Sequence, residues 1–297
     1  MSMNQMCRPR LRPRLRSLPV NSLIPNMLTV ISLCAGLTAI RFSLTGHWEM
    51  AVLAIVFAGV MDGLDGRLAR LLKGVTRFGA ELDSLADFLS FGVAPVFVLY
   101  EWSLSDLSGM AGMGWIAVLA YTVCCALRLA RFNTMQDHTQ QQPGWTLNFF
   151  TGVPAPAAAG LALLPMFGSF QAPVMETVLR SPYLLAPWVM LIAALMVSRV
   201  PTLSFKRMRI QRDYVLPLLL VVGVGVAALT SYPWVTLMVA AAAYAVSVPM
   251  TAVRYMQLKD RHEAQAVPAA QPAVPAMEPA AATPAFPPGE GHPTQLH

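Results

Sequence analysis

Long apolar runs separated by short basic clusters dominate this chain of 297 residues. A transmembrane helix needs about 20 predominantly apolar residues, and eight runs approach that length. They predict spans at 24–43, 50–72, 80–100, 113–132, 151–170, 183–198, 214–231 and 234–254. The fifth run contains Pro154, Pro156 and Pro165 and the sixth is short, so these two are the least regular. The pattern predicts an all-α polytopic membrane helix bundle with about eight transmembrane helices.

The basic residues favour one orientation for this bundle. If the amino end is cytoplasmic, the inside segments contain 19 of the 21 Lys and Arg residues, all except Arg41 and Arg180. Cytoplasmic loops of membrane proteins carry such an excess of basic residues. Both termini are therefore expected in the cytoplasm.

Composition agrees with a membrane protein. Only 12% of the residues are charged, whereas soluble domains carry about 25%. The net charge of +6 does not indicate a nucleic-acid partner, because the basic residues lie between apolar runs without a basic and aromatic module. We expect three parts: an arginine-rich arm at 1–20 that contacts lipid headgroups, a transmembrane domain at 21–258, and a disordered Pro/Ala-rich tail at 259–297.

Four aspartates interrupt the second and third apolar runs. Asp62 and Asp65 are three residues apart and Asp83 and Asp87 are four apart, so each pair shares a helix face. An acid at the centre of a bilayer costs about 2.5–3.5 kcal/mol on insertion scales, and one or two divalent cations between the helices would offset this cost. Oxygen ligands favour Mg, Mn or Ca over zinc. The orientation places all four acids in the cytoplasmic halves of an antiparallel helix pair.

The residues around these acids suit a phosphorylated ligand. Gly63, Gly66, Ala69 and Gly79 are small enough to let a helix or a ligand approach the backbone closely. Arg70 offers a planar donor fork for phosphate. This combination indicates a pyrophosphate site rather than a proton path.

The spacing of these residues also resembles a family signature. Asp62-x-x-Asp65-Gly66-x-x-Ala69-Arg70, then eight residues, then Gly79-x-x-x-Asp83-x-x-x-Asp87 resembles the complete signature of the CDP-alcohol phosphatidyltransferases. The stretches 84–95, 126–133, 151–160 and 195–206 are similar to the bacterial phosphatidylserine synthase branch. The resemblance implies an enzyme of the bacterial cytoplasmic (inner) membrane, with its active site facing the cytoplasm, and suggests a homodimer.

The resemblance implies roles for individual residues. Two divalent ions, Mg or Mn, would be bound by Asp62, Asp65, Asp83 and Asp87, and Asp87 would also be the general base. The CDP-lipid site would contain Asn26, Asp62, Gly63, Asp65, Gly66, Ala69, Arg70, Arg77 and Gly79. The implied reaction transfers the phosphatidyl group of CDP-diacylglycerol to the hydroxyl of L-serine, giving phosphatidylserine and CMP.

Polar residues outside the signature are candidates for contact with serine or phosphate. They are Arg128, Arg131, Asn133, Thr151, Arg199 and Lys206. A guanidinium fork pairs well with the serine carboxylate. Basic side chains that anchor a helix at the membrane surface are the competing interpretation for the arginines and the lysine, and a proline kink is the competing one for Thr151.

Two alternative functions stay open. The signature does not select the acceptor alcohol, so a phosphatidylglycerophosphate synthase is the nearest alternative. A divalent-cation transporter also needs intramembrane acids. It requires a path across the whole bilayer, however, and few ionisable residues lie in the outer halves of the predicted spans.

Removing residues 265–297 is expected to leave the implied activity nearly unchanged, because a Pro/Ala-rich tail cannot bury a core. CMP release by the truncated and the full-length chain measures this. A large loss of activity would show that the tail contributes to the reaction.

Overall fold

The chain folds almost entirely into helices, as the apolar runs predict. The computed structural model describes residues 20–72, 76–109, 112–137, 149–198, 201–203 and 215–266. The helices are α1 (Val20–Leu44), α2 (Trp48–Leu71), α3 (Arg77–Asp87), α4 (Ala94–Trp102), α5 (Met113–Asp137), α6 (Ala155–Ala162), α7 (Leu164–Gln171), α8 (Glu176–Leu179), α9 (Pro182–Val197), α10 (Val215–Ser231) and α11 (Pro233–Ala266). A π-helix at Phe88–Val93 joins α3 to α4, and 3₁₀ turns cover Leu104–Gly109 and Pro173–Met175.

Four helical segments of the described part are long and apolar enough to cross a membrane. They are Leu23–Leu44, Arg77–Trp102, Met113–Thr134 and Pro233–Thr251. Helix α2 has the length, but Asp62, Asp65 and Arg67 lie in its second half. Pro182–Val197 and Leu220–Ser231 are apolar but shorter. The membrane character is confirmed, whereas the count of eight spans and the position of the termini stay predictions.

Helices α1 and α2 pack closely through small residues. Only Thr45–His47 separates them, so they are antiparallel neighbours. Ala39, Ala51 and Ala58 are completely buried, and such small side chains let two helix backbones approach closely. The Ser32 hydroxyl donates a hydrogen bond to the Ala58 carbonyl at 3.0 Å. This pairing brings the second half of α2, which carries two of the aspartates, against the first half of α1.

A short two-stranded ribbon departs from the all-α prediction. Strand β1 (Phe149–Thr151) pairs antiparallel with β2 (Pro201–Leu203), and Thr151 lies opposite Pro201. The ribbon brings together two of the sequence stretches that were similar to the synthase branch. Gly152 follows β1 with a φ of 82°, and a Cβ there would lie 2.5 Å from the Met196 carbonyl oxygen. Only glycine suits both the backbone angle and the close approach.

The predicted fifth span, 151–170, begins too early and is not one continuous helix. Helix α6 begins only at Ala155, and α7 follows a break at Leu163. Pro165 has no N–H for the carbonyl of Leu161, four residues earlier. The Trp188 indole Nε1 donates to that carbonyl instead, at 3.0 Å. A side chain from α9 thus completes the hydrogen bonding that the proline interrupts.

The carboxyl end of the described chain forms part of a separate unit. Contacts place the described residues from Met256 onward in a different compact unit from those up to Tyr255. Helix α11 continues to Ala266, beyond the boundary predicted at residue 258. The predicted basic arm lies outside the described residues except for Val20, and so does the predicted tail after residue 266.

Replacing Gly36 by alanine is expected to lower the free energy of unfolding by about 1–3 kcal/mol, because it overpacks a tight contact. A Cβ at Gly36 on α1 would lie 2.6 Å from the Ser90 Oγ and 3.0 Å from the Ser90 Cα. Thermal unfolding in detergent, followed by tryptophan fluorescence, measures the change.

Gly160→Ala is the matched control, because a Cβ at this helical glycine meets no atom within 4 Å. Its melting temperature should be unchanged or slightly raised, since alanine favours helix over glycine by about 1 kcal/mol. Equal melting temperatures for the two variants would contradict the close α1 contact.

Candidate active site

Three carboxylates from two helices converge inside the bundle. Asp62 lies on α2, Asp83 and Asp87 lie on α3, and one oxygen from each is within 4.8 Å of the others. All three side chains are half-buried. The four-residue spacing places Asp83 and Asp87 on one face of α3, and that face meets Asp62 on α2.

Asp65 lies beside this group and has a partner of its own. It is only 4% exposed, and its Oδ2 accepts a hydrogen bond from the Thr29 hydroxyl at 2.6 Å. Its negative charge repels the carboxylates of Asp62 and Asp83. Thr29 was not singled out from the sequence. The available signal is its spacing of three residues from Asn26, which places both on one face of α1.

A cavity between α1, α2 and the start of α3 opens next to the acids. It is lined by Pro25, Asn26, Thr29, Asp65, Gly66, Ala69, Arg70, Thr76, Gly79, Ala80 and Asp83. Six of these were predicted for the CDP-lipid site: Asn26, Asp65, Gly66, Ala69, Arg70 and Gly79. Sequence reasoning missed Pro25, Thr29, Thr76 and Ala80. Because Asp65 and Asp83 belong to the wall, the cavity and the carboxylate group form one continuous site.

Gly79 is required where the first turn of α3 meets α1. A Cβ at this position would lie 2.7 Å from the Asn26 Oδ1 and 3.1 Å from the Thr76 Oγ1. Thr76 caps α3, because its side chain accepts a hydrogen bond from the Gly79 N–H at 3.0 Å. This cap satisfies one of the free N–H groups of the helix start. Gly79 therefore allows the Asn26 side chain to reach the cavity.

Two glycines in the second half of α2 have open surroundings. A Cβ at Gly63 or Gly66 would have no atom within 4 Å, so helix packing does not require glycine at these positions. The Arg70 Nε donates to the Gly66 carbonyl at 2.8 Å, which holds the guanidinium along α2 at the cavity. Gly63 and Arg77 are exposed and are not among the described residues that line the cavity.

Helix α5 approaches the same carboxylates with polar side chains. The Arg128 guanidinium interacts favourably with the charge of Asp87, and its Nε is buried with no hydrogen-bond partner among the described residues. Asn133 donates from its Nδ2 to the Ser84 Oγ at 3.0 Å, which ties α5 to α3 beside Asp83. Arg131 is half-buried, three residues from Arg128.

Of the remaining predicted contacts, Thr151 alone lies in the part of the chain that the structure describes. Thr151 is the last residue of β1. Arg199 and Lys206 lie outside the described residues. The structure therefore places neither of these two basic side chains relative to the acids.

The donor set fits a divalent cation. Two oxygens on opposite sides of Mg or Ca are about 4–5 Å apart, because metal–oxygen distances are about 2.0–2.6 Å. The oxygens of Asp62, Asp83 and Asp87 lie within 4.8 Å of one another. Carboxylates this close repel one another strongly in a medium of low dielectric. A cation between them removes that repulsion.

Two family profiles match this chain. The profile described as CDP-alcohol phosphatidyltransferase matches residues 22–200, which is more than half of the chain. The profile described as CDP-alcohol phosphatidyltransferase 2 matches residues 213–249. The first match contains the acids and every described residue of the cavity wall.

Similar proteins from three bacteria carry the name CDP-diacylglycerol–serine O-phosphatidyltransferase. The protein of Mycobacterium tuberculosis H37Rv is 40% identical over 245 residues, covering 81% of each chain. The protein of Helicobacter pylori 26695 is 33% identical over 194 residues, 65% of this chain and 77% of its own. That of Bacillus subtilis 168 is 34% identical over 184 residues, 62% and 92% of the two chains. By the profile match and these relatives, the chain is an enzyme of the CDP-alcohol phosphatidyltransferase family.

Proposed function

We propose that this enzyme transfers the phosphatidyl group of CDP-diacylglycerol to the hydroxyl of L-serine, with phosphatidylserine and CMP as products. The observation that carries the reaction class is the group Asp62, Asp83 and Asp87, whose oxygens lie within 4.8 Å of one another next to the cavity. The choice of serine is supported by relatives named CDP-diacylglycerol–serine O-phosphatidyltransferase, at 40% identity over 81% of the chain.

The cavity between α1, α2 and α3 takes the CDP group. Asn26 and Ala69 provide its wall, and the open backbone at Gly66 leaves room for a ligand. The Arg70 guanidinium, held by its Nε on the Gly66 carbonyl, would donate from its two terminal nitrogens to a phosphate of the CDP group. Arg77, at the start of α3, adds positive charge near the entrance, and Gly63 keeps the α2 surface open.

The carboxylates organise the pyrophosphate. Two divalent ions, Mg or Mn, bound by Asp62, Asp65, Asp83 and Asp87 would offset the charge of the pyrophosphate and of the leaving CMP. The hydrogen bond from Thr29 fixes one oxygen of Asp65, which restricts the orientation of this carboxylate beside the other acids. Because this ligand is oriented before the substrate binds, no free energy is spent on orienting it during the reaction.

Asp87 is the general base for serine. It accepts the proton of the serine hydroxyl, the oxygen attacks the phosphorus of the phosphatidyl group, and the bond from that phosphorus to the CMP oxygen breaks. Arg128, with its buried Nε beside Asp87, pairs with the serine carboxylate. Arg131, Asn133, Thr151, Arg199 and Lys206 are proposed as further contacts to serine or phosphate.

The proposed setting is the bacterial inner membrane. Eight spans with both termini in the cytoplasm place 19 of the 21 basic residues inside, and the active site then faces the cytoplasm, where serine and CMP are soluble. The acyl chains stay in the lipid between helices. The chain is proposed to act as a homodimer, with the basic arm at 1–20 and the tail at 259–297 outside the catalytic domain.

Asp87→Asn is expected to lower turnover by about 10²–10⁴-fold, because the amide keeps the shape but cannot accept the proton. Binding of CDP-diacylglycerol should be largely retained, since Asp87 is not part of the described cavity wall. CMP release and CDP-lipid binding, both with purified protein, measure the two effects.

Asp106→Asn is the matched control, because Asp106 is an exposed acid in the turn Leu104–Gly109. It should keep wild-type turnover. Normal turnover in the Asp87 variant would remove Asp87 from its role as base.

An acceptor screen tests the substrate. With CDP-diacylglycerol and Mg or Mn, CMP release should depend on L-serine and phosphatidylserine should form. Release with glycerol 3-phosphate but not with serine would indicate a phosphatidylglycerophosphate synthase. Metal flux into liposomes without CMP release from any acceptor would indicate a cation transporter instead.

A further inference from the structure

The helix that carries Asp83 and Asp87 changes its pitch directly after Asp87. Residues Phe88–Val93 form a π-helix, and the Ala94 N–H bonds to the Leu89 carbonyl, five residues earlier. An α-helix would make this bond to the fourth residue back. Such single wide turns are rare and frequently lie at functional sites.

The sequence supplies the cause of this wide turn. Pro95 has no N–H, so it cannot donate to the Phe91 carbonyl, four residues earlier, and its ring clashes with that carbonyl in an α-helix. A wider turn relieves the clash. The wider turn leaves backbone carbonyls without a backbone N–H partner in a buried apolar region. An unpaired carbonyl is costly there.

Helix α5 supplies donors for these carbonyls. The Tyr121 hydroxyl donates to the Phe91 carbonyl at 3.1 Å, and the Thr122 hydroxyl donates to the Gly92 carbonyl at 3.3 Å. Tyr121 is completely buried. The approach of α5 is close, because a Cβ at Gly92 would lie 2.9 Å from the Cys125 Sγ. Two side chains of α5 therefore hold the wide turn in place.

The wide turn decides which way the aspartates face. Val96, Leu99 and Trp102 are buried and fix α4 in the core. In one uninterrupted α-helix, the face with Asp83 and Asp87 would be rotated away from that buried face by about 100°, the angle of one residue. The additional residue in the π-turn removes this rotation. It thereby turns Asp87 toward Asp62 while α4 keeps its packing.

We infer that Tyr121, assisted by Thr122, is a positioning residue that holds the π-turn and so keeps Asp87 against Asp62 and Asp83. Neither residue touches the reacting atoms; both act through the backbone of Phe91 and Gly92. The inference rests on the proposed function for its catalytic readout, whereas its metal-binding readout does not depend on the acceptor or the reaction.

Tyr121→Phe removes only the hydroxyl and tests this role. We expect the affinity of the purified full-length chain in nanodiscs for Mn²⁺, measured by electron paramagnetic resonance, to fall by about 10–100-fold, the usual loss when a group that orients metal ligands is removed. At saturating Mn²⁺, the kcat for CMP release should fall by a similar factor, while KM for CDP-diacylglycerol changes little because α1 and α2 form most of the cavity wall.

Trp188→Phe is the matched control. Trp188 is also an aromatic donor to a carbonyl that a proline leaves free, that of Leu161, but it serves α6 and not the helix with the acids. It should keep Mn²⁺ affinity and kcat even if its melting temperature falls. An equal loss of Mn²⁺ affinity in the two variants would overturn the inference, because general destabilisation would then explain both.

Thr122 gives a second and milder test. Thr122→Val should lower Mn²⁺ affinity and kcat, as Tyr121→Phe does. Thr122→Ser keeps the hydroxyl and should have the Mn²⁺ affinity and kcat of the wild type. Wild-type Mn²⁺ affinity in both Tyr121→Phe and Thr122→Val would overturn the inference. If the wild-type chain binds Mn²⁺ but none of the acceptors tested leads to CMP release, the proposed function fails. The comparison of Mn²⁺ affinities still decides the role of Tyr121.

Discussion

The burial of several carboxylates in an apolar helix bundle is the constraint on which this structure depends. One carboxylate oxygen from each of Asp62, Asp83 and Asp87 lies within 4.8 Å of the others, and like charges at this distance repel strongly without a cation. This repulsion opposes the approach of the three side chains. The bundle therefore needs elements that hold the acids together, and these elements also determine what the site can bind.

Helix α1 is one such element. The Thr29 hydroxyl fixes Asp65 at 2.6 Å, and Ser32 donates to the Ala58 carbonyl of α2. Asn26 meets Gly79 at the first turn of α3. The wall of the cavity and the alignment of α2 with α3 thus come from the same face of α1, so the ligand pocket and the carboxylate group form together.

Prolines shape the helices, and neighbouring side chains complete the hydrogen bonds that the prolines interrupt. Pro95 frees the Phe91 carbonyl, which Tyr121 satisfies, and Pro165 frees that of Leu161, which Trp188 satisfies. In an apolar environment each such bond removes an unpaired polar group. Irregular backbone is therefore retained where a partner helix supplies the donor.

The sequence by itself determined the membrane-type helices and the two aspartate pairs, because helix period and apolar length are local properties. Six residues of the cavity wall followed from the resemblance to the family signature. Only the tertiary structure decided that Thr29 reaches Asp65 and that Tyr121 reaches the Phe91 carbonyl, across 36 and 30 residues of sequence. The ribbon of 149–151 with 201–203 is equally non-local. Such contacts depend on the rotation of one helix against another, and a single additional residue in the turn after Asp87 changes that rotation without altering the hydrophobic pattern on either side.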